Sequence, residues 1–152
     1  MTLRCVSCSG VAQDVPGPAP SVSVDFGDFQ SGTLNGKAGE ALANGKYDVA
    51  LAYADKCIEI YGDQASQQQK ALTAIPVGQD QTFAQWALND VGMAYLDKGK
   101  ALEGQNKAKE ALAVYKTIVE KFAFAQVWDP QGWFWKPADV AAERITALTK
   151  LN

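Results

Sequence analysis

The chain has 152 residues, 47% of them hydrophobic and 20% charged, a balance that supports one compact domain with a helical core and no need of metal or disulfide support. It has no His, which removes Ser–His and Cys–His nucleophile activation and His-containing zinc sites; c-type haem attachment goes too, because Cys5-Val6-Ser7-Cys8 is followed by Ser9. At a net charge of −3 no run of Lys or Arg forms the basic stripe that nucleic acid requires, and no segment approaches the roughly 18 apolar residues of a membrane span.

Residues 1–31 read as an extended arm. Val15-Pro16-Gly17-Pro18-Ala19-Pro20 disfavours helix, and Ser21-Val22-Ser23-Val24-Asp25-Phe26 alternates polar and apolar residues like a strand. Cys5 and Cys8 in the arm leave several readings open: a disulfide within the arm or to another chain, a thiol redox pair, half of a metal site, or part of an export signal. Met1–Arg4 carries one positive charge and Val11-Ala12-Gln13 resembles a cleavage site, but the stretch between them is too short and polar for a working signal.

The helical domain spans 32–152. Ser31 and Thr33 are candidate N-caps for a first helix over 33–44, and a second runs from Tyr47 into residues 67–70. Pro76 and Gly78 mark a loop. Phe83, Trp86, Ala87, Val91, Ala94, Tyr95 and Leu102 then recur at helical spacing, which predicts a third helix over 81–104 with Trp86 in the core. A fourth helix follows over 107–122. Pro137 at a first helical position starts a fifth, which covers the end of the stack.

Between the fourth and fifth helices, Trp128, Trp133, Phe134 and Trp135 crowd a non-helical connector. Indole rings there serve either as a structural plug or as a ligand platform, and the need of an irregular connector to anchor itself by burial favours the plug. Cys57 reads as a buried thiol. Among the acidic residues only an all-carboxylate glycosidase site is left to consider, from Asp90, Asp97, Glu103, Asp129 and Asp139. Their spacing selects no pair, and helix-surface charge is the simpler reading.

Two stretches follow one template. Asn44-Gly45-Lys46-Tyr47-Asp48-Val49-Ala50-Leu51-Ala52-Tyr53-Ala54 is echoed by Gln105-Asn106-Lys107-Ala108-Lys109-Glu110-Ala111-Leu112-Ala113-Val114-Tyr115. Each leads with a polar turn into a helix bearing small residues on one face. The first copy supplies Leu34, Ala38 and Ala41 before Ala50, Ala54 and Cys57. The second supplies Tyr95, Gly99 and Leu102 before Ala111, Tyr115 and Ile118. This pattern resembles tetratricopeptide repeats, although the copies stand roughly 25 residues further apart than the 34-residue period and neither ends in the expected Pro. The Trp86–Val91 block and the Phe124–Pro137 ending are similar to a group of small exported repeat proteins of environmental bacteria, some labelled as glucanase precursors. That resemblance implies an extracytoplasmic location.

The expected architecture is therefore all-α, an antiparallel helical-repeat stack of about five helices behind a partly strand-like arm. The expected function is non-catalytic interaction, with neither cofactor nor metal. Val22, Val24, Phe26 and Phe29 are the arm's anchors for docking on a neighbouring copy, as a ring or a filament. The alternative is a monomeric envelope protein that takes a peptide or glycan on its concave face, with the arm as a tether. Whether the arm docks on its own body or on another is left open.

Overall fold

The echoed turns close their helices in the same way. After Ala43 the Lys46 N–H returns to the Ala41 carbonyl at 2.8 Å; after Gly104 the Lys107 N–H returns to the Leu102 carbonyl at 2.9 Å. In each, the middle residue takes a left-handed backbone, Gly45 at φ +67° and Asn106 at φ +61°, which releases the chain for reversal. The computed structural model describes residues 22–151, and these form helices α1 (Ser31–Ala43), α2 (Tyr47–Ala71), α3 (Gln79–Phe83), α4 (Trp86–Gly104), α5 (Ala108–Lys121) and α6 (Pro137–Lys150). One small antiparallel hairpin, β1 (Val127–Asp129) and β2 (Trp133–Trp135), is inserted before α6. The fold is all-α.

Helix α4 is the axis of the packing. It lies against α1 and α2 on one side and α5 and α6 on the other, with α1 paired to α2 and α5 to α6. Small residues set the closeness of these contacts: Ala38, Ala50, Ala54 and Ala111 are fully buried. The Tyr115 ring occupies the space that a Cβ on Gly99 would need, and Tyr47 does the same at Gly104. A small residue on α4 thus receives an aromatic from a neighbouring helix, the ridge-and-groove geometry of close helix pairs.

Several sequence expectations are corrected. There are six helices among the described residues, because the expected third helix is two. The chain breaks at Ala84 and Gln85, where partners from elsewhere satisfy the freed backbone. The Gln68 side chain of α2 accepts the Leu88 N–H at 2.8 Å, and Asn89 Nδ2 donates to the Thr82 carbonyl at 2.8 Å. The first helix begins at Ser31, and neither Ser31 nor Thr33 caps it; the N-cap is Gln30, without a side-chain bond. Ser31 is itself the first helical residue, and its hydroxyl donates to Asp90 at 2.5 Å.

The alternation holds at residues 23–26, and among the described residues no sheet forms on it. Val24 and Phe26 turn inward while Ser23 and Asp25 face solvent, and in place of a partner strand Tyr53 and Lys37 donate to the Asp25 carbonyl, each at 3.1 Å. The aromatic connector, expected to be irregular, is a hairpin. Asp129 closes its turn, accepting Gln131 N–H on Oδ1 at 2.8 Å and Gly132 N–H on its carbonyl at 2.9 Å, and Gly132 supplies the positive φ of +110° that the reversal needs.

Candidate functional site

The residues singled out for helix packing lie in apolar clusters or close helix contacts. Leu34, Ala38, Ala54 and Cys57 share one apolar cluster with Tyr53 and Ala94. Leu102, Ala111, Tyr115 and Ile118 share another with Leu96, Ala141 and Leu148. Ala41 and Ala50 join Ala101 in a third, Gly99 lies under Tyr115, and Tyr95 is half-buried, stacked on Phe122 at 5.2 Å. Burial pushes the Cys57 thiol up to about 12, with Asp90 and Asp97 adding to the effect, so it stays protonated and inert.

The arm anchors divide. Val24 and Phe26 pack on the α1–α2 cluster of their own chain, with Phe26 edge-on to Tyr53 at 5.9 Å. Val22 and Phe29 are exposed. Phe29 holds a left-handed backbone at φ +59°, and its carbonyl accepts the Tyr61 hydroxyl at 2.8 Å. Cys5 and Cys8 lie outside the described residues, as do the cleavage-like Val11–Gln13 and Ser21.

Trp86, expected in the core, is 42% exposed. The helix break places it at the first position of α4, where it stands edge-on to Tyr61 at 5.4 Å. The same break leaves Phe83 exposed at the end of α3. The hairpin brings Trp128 within 6.0 Å of the Phe83 ring and Phe134 within 5.3 Å, with Trp128 and Phe134 themselves 4.9 Å apart. Trp135 packs on the α4–α6 core, as a plug should, whereas Trp133 is 50% exposed. The connector's aromatics are thus split between the packed core and the surface.

Phe83, Trp86 and Trp128 wall a groove of about 290 Å³ whose floor carries Asn35, Asn89, Asp90, Met93, Gln126 and Val127. This is at the small end of the roughly 300–1,000 Å³ of ligand clefts. Its floor is cross-tied: Gln126 N–H donates to Asn89 Oδ1 and Gln126 Nε2 to the Pro76 carbonyl, both at 2.9 Å. Asn35 Nδ2 donates to the Asp90 carbonyl at 2.9 Å, while Asn35 Oδ1 is buried without a partner. Burial raises the Asp90 carboxyl above its ordinary range, and the Ser31 hydroxyl partly offsets this. Neither the Trp86 nor the Trp128 indole N–H donates to an acceptor among the described residues.

Of the five carboxylates considered, only Asp90 lines this groove. Asp97 is buried on α4 with Oδ2 unpartnered. Glu103 is clasped by Arg144 of α6 and by the Tyr115 hydroxyl at 2.6 Å. Asp129 belongs to the hairpin turn, and Asp139 pairs with Lys136 at 3.2 Å. Among the described residues no three His, Cys, Asp or Glu side chains gather to hold a metal ion, and no helix is long and apolar enough to cross a membrane. Phe83, Asn35, Asp90 and Gln126 escaped sequence reasoning as groove residues. Phe83 and Trp86 read as one apolar helical face, and nothing local marks the break between them. Comparison with protein-family models, curated proteins and solved structures finds no match.

Proposed function

We propose that this chain is a non-catalytic, tetratricopeptide-like interaction protein, extracytoplasmic as its resemblance implies, that assembles with copies of itself through its N-terminal arm. The observation that carries the reading is the polarity of the molecule. The arm meets the described body at Val22, beside the Gly45–Val49 turn and Gln105. The exposed aromatic groove lies at the other end of α4, on its first two turns. A subunit with an arm at one end and an acceptor at the other suits a heterologous contact, which closes into a ring or propagates as a filament.

The identical turns at Asn44–Lys46 and Gln105–Lys107 support the repeat assignment, and the burial of Ala50 and Ala111 supports it further. Sedimentation velocity tests the assembly: the full chain should form concentration-dependent oligomers, and removal of residues 1–21 should leave a helical monomer. A full chain that stays monomeric at high concentration overturns the reading. The second reading, a monomeric binder of peptide or glycan, is favoured by the indole N–H groups of Trp86 and Trp128, which have no acceptor among the described residues. Its test is isothermal titration of the monomer with glucan oligosaccharides.

A further inference from the structure

We propose that the aromatic groove receives the Val15–Pro20 segment of a neighbouring copy; this rests on the self-assembly reading above and names the contact that it requires. Three observations converge on that occupant. The first is chemical. Proline fixes φ and has no N–H, so a segment with Pro16, Pro18 and Pro20 arrives stiff, loses little entropy on docking, and offers mainly carbonyl acceptors. Aromatic-lined grooves recognise such segments. This groove has Phe83, Trp86 and Trp128 as walls and two indole N–H donors without acceptors among the described residues.

The second observation is reach. Val22 sits beside Gln105, and the groove runs along α4 from Trp86 to Met93. At 1.5 Å per helical residue the separation is roughly 18–28 Å. Fully extended at about 3.5 Å per residue, the chain carries Pro20 at most ~7 Å from Val22, Pro18 ~14 Å and Pro16 ~21 Å. The three prolines therefore cannot lie together in the groove of their own chain. A neighbour's groove has no such restriction.

The third is that the arm's other route into a partner is already taken. Val24 and Phe26 are spent on their own α1–α2 face, held by Tyr53 and Lys37. What remains of the arm to engage a neighbour is the exposed Val22 and Phe29 and the residues before Val22.

The test uses the full chain and a synthetic peptide of residues 13–22. The peptide should dissolve the oligomers and shift tryptophan fluorescence. The triple variant Pro16→Ser, Pro18→Ser, Pro20→Ser should raise the concentration needed for assembly at least tenfold, and Trp86→Ala should do the same with helicity unchanged by circular dichroism. If the triple variant assembles at the wild-type concentration while removal of residues 1–21 abolishes assembly, the proline contact is wrong and the arm-mediated reading stands. If the full chain is monomeric, both fall. Binding of a glucan oligosaccharide that shifts the fluorescence, with no response to the peptide, also overturns the contact.

Discussion

Replacing Asp97 by Asn should make the protein more stable at neutral pH and flatten its stability in the mildly acid range. Asp97 is 1% exposed on α4, its Oδ2 has no hydrogen-bond partner, and burial raises its carboxyl to about 6 from 3.8, against a smaller opposing pull from Lys100. The nearby Cys57 is a neutral thiol and supplies no cation to offset the charge. A folded value above the unfolded one means that between the two the native state binds the extra proton. Stability from this group is therefore full below about pH 4 and is lost as pH rises through 6. About two units at 1.36 kcal/mol each give ~3 kcal/mol as the cost of ionising Asp97 in place. Asn removes that cost but buries an amide with an incomplete set of partners, at about 1–2 kcal/mol, so the net gain at pH 7.5 should be ~1–2 kcal/mol. At pH 4 the gain should vanish or reverse. Urea denaturation followed by circular dichroism, at half-unit steps from pH 4 to 8, measures this. Asp90 is displaced in the same direction, so the variant's slope should shrink and not disappear. Parallel profiles for wild type and Asp97→Asn would refute the burial argument.

Ala50→Leu and Ala111→Leu should each cost roughly 1–3 kcal/mol by overpacking a helix contact where the wild-type side chain is fully buried, read as a lower thermal midpoint; unchanged midpoints would remove the repeat assignment. Glu103→Ala should cost about 1–2 kcal/mol, since it takes the acceptor from both Arg144 and Tyr115. Arg144 and then Tyr115 hold the Glu103 carboxyl below its usual 4.5, so this contribution is present above that pH and fades as pH falls further, the opposite sign to Asp97. A stability maximum near pH 4–5 should result, and its acid flank should flatten in Glu103→Ala. Phe29→Gly should leave stability unchanged or raise it by up to ~1 kcal/mol, because a bulky residue at φ +59° with an exposed ring is strained; a loss of more than that in chemical denaturation would show that the Phe29 ring contributes packing beyond its contact with Phe26.

Helix positions were legible because they depend on short-range signals that repeat. The Asn44–Lys46 and Gln105–Lys107 turns carry a residue tolerant of left-handed backbone at the same offset, and Ala50 and Ala111 follow each at one spacing. Pro137 announced α6 by the same logic. The groove was not legible, because each of its members takes its place through a long-range partner. Gln68 lies 20 residues before the Leu88 N–H that it accepts, and Gln126 is tied to Asn89 across 37. Those bonds let the chain break at Ala84–Gln85 and turn Phe83 and Trp86 outward, against an apolar spacing that pointed inward. The hairpin was missed for a related reason. Trp128, Phe134 and Trp135 are half-buried against a helical body, and strands of only three residues carry too short a pattern to show alternation.

Both faces of the helix stack are closed, and this bears on how copies meet. Residues 22–30 lie over α1 and α2, with Val24 and Phe26 in the cluster beneath. At the other face α6 covers α5 and contributes Ala141 and Leu148 to the core. A helical-repeat body with an open terminal face would extend by stacking helix on helix, since the uncovered apolar surface drives it. Here that route is blocked at both faces. Among the described residues the apolar surface still offered to solvent is the aromatic wall at Phe83 and Trp86 and scattered single residues such as Val77 and Trp133, and single residues need no partner. The proposed assembly runs end to end from the arm to the groove, and its strength depends on how few degrees of freedom the arriving segment has to lose. A proline-rich segment minimises that loss. Substituting flexible residues for Pro16, Pro18 and Pro20 should accordingly weaken assembly mainly through faster dissociation, leaving the α-helical body and its thermal midpoint as they were.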